Sequence, residues 1–129
     1  MLFGDKTSAV FDIWSIEHLI NGIILTFILN KIFLDRKYTF VFLLLISCFW
    51  ECLEHYLEEG LCGSKIQNWF AGTEYWGNRL FGDNLMVILA YFIYNRYPKS
   101  IYFSFILSAF FLLLHLFCPS SMDIQKILF

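Results

Sequence analysis

Glu51, Glu54, His55 and Glu58 fall at i, i+3, i+4 and i+7 of a stretch reading FWECLEHYLEE, so a helix there carries three carboxylates and an imidazole along one stripe. Carboxylates sharing a site with an imidazole support two chemistries. One is mixed nitrogen and oxygen ligation of a divalent metal, with Zn, Mn or Fe indicated by ligand type. The other is metal-free general acid–base work or proton relay. A third reading is structural, with the same groups tying helices together by hydrogen bonds worth about 1 kcal/mol each.

The elements that must position these residues are apolar enough for lipid. The 129 residues are 59% hydrophobic and 21% aromatic, with sixteen Phe and a mean hydropathy of +0.64. A soluble domain of this size cannot hide so much apolar surface, so the chain reads as one integral membrane domain spanning residues 1–129. The expected fold is an all-α four-helix bundle with spans near 16–34, 38–57, 80–97 and 100–117. Between the second and third spans, Gly60 to Gly77 carries Trp69, Phe70, Tyr75 and Trp76, a composition suited to an interfacial or re-entrant segment with a short helix near Lys65–Phe70. The first fifteen residues mix acid with Lys6 and have no long apolar run, which does not match a signal peptide.

Four spans put both termini on one side. The two short connections hold Lys31, Arg36, Lys37, Arg96 and Lys99 against Asp35 alone, which places the termini outside the cytoplasm by the positive-inside rule. The alternation of direction also brings His18, Glu51, Glu54, His55, Glu58, Asp83, Asn84 and His115 to one depth. From this set, Glu51, Glu54 and His18 are the candidate catalytic groups, and His18, Glu51, His55 and Asp83 the candidate metal ligands. Glu58 and Glu59 at a helix exit read as solvated, and Glu17 as facing water. His115 reads as a packing residue, Trp14, Trp50 and Trp76 as belt residues, and Arg79 as a counter-ion to Asp83 or Glu54.

Net charge is −2 with no basic run, which argues against nucleic acid as a partner. Membrane lipid is the expected partner, with a lipid or lipid-linked envelope precursor as substrate. The competing class is a non-enzymatic subunit that docks a larger membrane protein or a second copy of itself, although no GxxxG motif marks an interface. No CxxC occurs, so Cys48, Cys52, Cys62 and Cys118 read as free, with a Cys62–Cys118 disulfide as the alternative on an oxidising face.

Asp12, Ser15, His18 and Gly22 entering the first span, Trp50, Glu51 and Glu54 late in the second, and Gly77, Asn78, Gly82, Asp83 and Asn84 entering the third form a pattern over residues 12–97. This pattern resembles small bacterial membrane proteins of the VanZ-like kind and a neighbouring family of unknown function. The resemblance implies a compact helical bundle with acidic and histidine residues gathered at one membrane face. It draws attention to Ser15, His18, Glu51, Glu54 and Asp83 without naming a reaction. His55 stands where the neighbouring family would have Asn, and the paired-glutamate-plus-arginine helix of intramembrane CAAX-type proteases is absent.

Overall fold

The computed structural model describes residues 1–70 and 72–118. Helix α1 (Ile13–Ile32) begins at a capping box: the Asp12 carboxylate accepts from the Ser15 amide at 2.9 Å while the Asp12 amide donates to Ser15 Oγ at 3.2 Å. The cap fixes the start three residues earlier than hydropathy alone suggests. Asp35 caps α2 (Arg36–Glu58) by accepting from the Lys37 amide at 2.8 Å, and α2 ends where Gly60 turns left-handed at φ +79°. A short helix, α3 (Ser64–Phe70), lies in the connection. A six-residue π-helical segment, Asn78–Asp83, then leads directly into α4 (Asn84–Arg96), and α5 (Ser100–Phe117) follows the Pro98 turn.

Helix α1 is the axis of the molecule, packing chiefly on α4, then on α5 and α2. It approaches α4 closely at Gly22, where a Cβ would stand 2.8 Å from the Ala90 Cβ. Two apolar clusters hold these helices together, Ile23 with Ala90 and Ile101, and Leu29 with Leu43 and Val87. A third, Trp14 with Phe70, docks α3 onto the start of α1.

Three helices, α1, α2 and α5, are long and apolar enough to cross a membrane. Their burial runs opposite to that of a soluble protein. Helix α5 has the highest mean hydropathy, 2.0, yet only 11% of its apolar window is buried inside the protein. Outward-facing Phe103, Phe110 and Phe117 therefore suit hydrocarbon rather than water. Helix α4 has thirteen residues, and its polar approach, Asn78–Asp83, is spent on contacts within the protein: Asn78, Arg79, Gly82 and Asp83 are all buried.

The N-terminal residues fold back as a strap, with the Gly4 amide donating to the Phe11 carbonyl at 3.1 Å and the Val10 amide to the Met1 carbonyl at 3.0 Å. The strap is tied down where the Tyr75 amide donates to the Lys6 carbonyl at 2.8 Å. It also lies flat on Gly82, where a Cβ would collide with the Val10 carbonyl. The four cysteines are free and exposed, so the alternative Cys62–Cys118 bridge is not formed.

Candidate functional site

His18, in the second turn of α1, stands between two carboxylates from different elements. Its Nδ1 is 3.5 Å from Glu51 Oε1 on α2, and its Nε2 is 3.5 Å from Asp83 Oδ2 at the end of the π-helical segment. Glu51 is 3% exposed and Asp83 1%, and all four of their carboxylate oxygens are buried without a hydrogen bond. Buried polar atoms are nearly always paired, so four open oxygens around one imidazole are the clearest anomaly in the molecule. One ligand atom from each of the three residues falls within 4.8 Å of the others, close enough for a shared ion.

Of the other sequence candidates, Glu54 joins a neighbouring group with Glu58 and Glu74 under the same 4.8 Å limit. His55 leaves the stripe. Its ring lies 5.0 Å from that of Trp76, centroid to centroid, its Nδ1 is buried without a hydrogen-bond partner, and it belongs to neither cluster.

The second cluster is built around Glu58, both of whose oxygens are bonded. Lys6 Nζ donates to Glu58 Oε1 at 2.8 Å, while Glu58 Oε2 accepts from Arg79 at 2.6 Å and from the Glu74 amide at 2.9 Å. Arg79 also reaches Glu74 at 3.3 Å and donates to the Glu51 carbonyl at 2.7 Å. Asn78 donates to Glu74 at 2.6 Å and accepts from Ser15 Oγ at 3.1 Å, which links this network back to the α1 cap.

Several sequence expectations are corrected here. Glu58 is not solvated but 1% exposed, because the strap brings Lys6 over it and the π-helical segment brings Arg79 beneath it. Arg79 bonds to Glu58 and Glu74 rather than to Asp83 or Glu54. Trp14 is no belt residue: it is buried against Phe70, Phe111 and the His115 ring. Glu17 pairs with His115 Nε2 at 3.1 Å. Lys6 and Glu74 escaped sequence reasoning as site residues because they lie in aperiodic segments, while Asn78 entered only as part of the pattern over residues 12–97. The one available signal was the surplus of acids on this side of the chain.

That surplus is now a local fact. Asp12, Glu51, Glu54, Glu58, Glu74 and Asp83 converge around two permanent cations, Lys6 and Arg79, and the imidazole of His18. Such an excess of carboxylate in a dry site calls for protons or a cation. At its periphery the balance moves toward protons: burial raises the Asp12 carboxyl above the usual range despite the Ser15 cap. Burial, with Asp83 and Glu54 nearby, does the same to Glu74 against the pull of Arg79.

The site opens onto a cavity of about 370 Å³ whose wall includes His18 and Glu54, with Trp14, Trp50, Trp69 and Phe70 around it and the Glu17–His115 pair on the α1–α5 side. A second, shallower hollow between α1 and α5 shares Asn21 and Leu25 with it and continues past Ile28, Phe105 and Leu112. Chemically, the arrangement can hold a divalent cation on His18 with one carboxylate while the other fixes the free ring nitrogen. It can equally hold a proton on the imidazole between two carboxylates. No protein-family model matches the chain, and no curated protein or solved structure matches it.

Proposed function

We propose that the chain is a four-span bundle in which α4, extended by its π-helical entry, is the fourth crossing, with the 60–77 connection at the interface. At the non-cytoplasmic face, where both termini lie, His18, Glu51 and Asp83 bind a divalent cation. The protein acts there on a lipid or lipid-linked envelope substrate seated in the adjoining cavity. The observation that carries this reading is the set of four buried, unbonded carboxylate oxygens on Glu51 and Asp83, facing the two nitrogens of one histidine. A carboxylate that only ties helices together closes its bonds, as both oxygens of Glu58 do nearby. Glu54, on the cavity wall, is the group placed for acid–base work on a bound substrate. The VanZ-like reading belongs to the same proposal, since the residues that carry it, Ser15, His18, Glu51, Glu54 and Asp83, are drawn from the two clusters and the cap that joins them.

Element-resolved metal analysis of the detergent-purified protein tests it, with Glu51→Gln and His18→Ala measured alongside. Near-stoichiometric Zn, Mn or Fe in the wild type, lost in both monodisperse variants, is the expected result. No metal in the wild type after reconstitution with each ion would overturn it.

One observation favours a second reading, a proton-handling site. Glu51 and Asp83 address opposite nitrogens of the same ring, an arrangement that a protonated imidazole satisfies without any ion. In that case metal is absent, and the His18 ring signal of the metal-free protein moves in both Glu51→Gln and Asp83→Asn.

A further inference from the structure

The cavity beside the cluster has a one-sided chemistry. Its lining includes three tryptophans and Phe70, two carboxylates, Glu17 and Glu54, and two imidazoles, His18 and His115, and among the described residues no lysine or arginine. With both carboxylates ionised, the lining carries a charge of −2 when the imidazoles are neutral and reaches only zero when both are protonated. The nearest permanent cations in the site, Lys6 and Arg79, are spent on Glu58 and Glu74 and do not line the cavity. An anionic headgroup entering here would meet carboxylates and no counter-charge.

An ammonium group would meet the opposite. Tryptophan is the strongest side-chain partner for a quaternary or primary ammonium, and a carboxylate in a dry wall adds attraction that water does not screen. The adjoining hollow between α1 and α5 supplies what a headgroup pocket alone would lack. It begins at Asn21 and Leu25, which both spaces share, and runs past Ile24, Ile28, Phe105 and Leu112, presenting an apolar path with no charged residue. A pocket with carboxylates in its wall, adjoining an apolar groove across Asn21 and Leu25, suits one molecule with a head and a tail.

We propose that this cavity binds a cationic amphiphile: an ammonium headgroup against Trp69, Trp50 and Glu54, with its hydrocarbon chain in the α1–α5 groove. The assignment deepens the proposed function by naming the substrate's chemical class, and it rests on that reading's use of the cavity as the substrate seat. A divalent cation at His18, Glu51 and Asp83 does not conflict with it, because two carboxylates balance that ion and leave Glu17 and Glu54 facing the cavity.

The test uses the full chain in a neutral maltoside detergent. Intrinsic tryptophan fluorescence is followed during titration with decyltrimethylammonium, with decyl sulfate and tetramethylammonium as controls and metal content assayed on the same samples. Saturable binding of decyltrimethylammonium is expected, at least tenfold tighter than decyl sulfate or tetramethylammonium. Glu54→Gln and Trp69→Leu should each weaken it about tenfold, and Ala109→Phe in the groove should weaken decyl but not ethyl trimethylammonium. Glu17→Gln lies outside the metal cluster and should weaken binding while leaving metal content unchanged. Equal affinity for decyl sulfate, or affinity indifferent to Glu54→Gln and Glu17→Gln in monodisperse protein, would overturn the assignment whether or not metal is found. Loss of metal with ammonium binding intact would instead remove the metal reading alone.

Discussion

Glu51 and Glu58 stand two turns apart on the same stripe of α2, equally buried, and differ in everything else. Both oxygens of Glu58 accept hydrogen bonds, from Lys6, Arg79 and the Glu74 amide, whereas neither oxygen of Glu51 accepts any. Helix position and burial do not explain the contrast. What differs is the neighbour that the connections deliver. The strap and the π-helical entry bring cations to Glu58, while at Glu51 the π-helical entry brings a second acid, Asp83, beside the histidine that α1 supplies. A carboxylate that already accepts from lysine, arginine and an amide has its charge balanced and little capacity left for a ligand. One left open, with no lysine or arginine bonded to its carboxylate among the described residues, calls for a proton or a cation.

The comparison breaks most visibly at Arg79. Arg79→Ala takes the guanidinium from the buried Glu58 carboxylate and should cost about 3–5 kcal/mol, read as loss of monodisperse yield and of thermal stability in detergent. Lys6→Met, which leaves Arg79 on Glu58, should cost about 1.5–3 kcal/mol in the same measurement.

Glu51→Gln should behave with the opposite sign in metal-free protein. Removing a buried charge that has no hydrogen bond leaves the melting temperature unchanged or raises it by the equivalent of about 1–3 kcal/mol, while metal binding is lost. If Glu51→Gln destabilises the metal-free protein as Arg79→Ala does, the two clusters are one structural network and the distinction fails.

Glu74 sharpens the comparison through pH. Its carboxyl is raised by burial, so above the ordinary glutamate value of 4.5 the folded state holds a proton that the unfolded state has released. Its contribution is therefore complete at low pH and falls as pH rises from 4.5. Glu74→Gln, which keeps the acceptor used by Asn78, should flatten the decline of melting temperature with pH over that range. The smallest effect belongs to Ser15→Ala, which removes half of the capping box and the bond to Asn78 and should cost about 1 kcal/mol in thermal unfolding.

Much of the helix plan is legible in the residues. Asp12 and Ser15 spell the start of α1, Asp35 the start of α2, and Gly60 the end of α2, because caps are local chemistry. The gathering of His18, Glu51 and Asp83 at one end is also legible, since alternating helix directions fix which ends meet. The fate of His55 is not. At about 100° per residue it is turned some 40° to one side of Glu51, while Glu54 is turned about 60° to the other. That rotation sends Glu54 toward the α1 cavity and His55 toward Trp76, a division that only the packing of the 72–83 connection makes visible.

By itself, the sequence determined that the chain is helical, that its helices are apolar enough for lipid, and that acids and histidines share one end. Those properties follow from hydropathy, caps and helix direction, all of which act over a few residues. Tertiary structure alone decided which acids are neutralised and which stay open. Lys6 reaches Glu58 across 52 positions and Asp83 reaches His18 across a separate helix, and no local pattern encodes such meetings. The cost of burying a charge depends on the partner it finds, and here that partner comes from elsewhere in the chain.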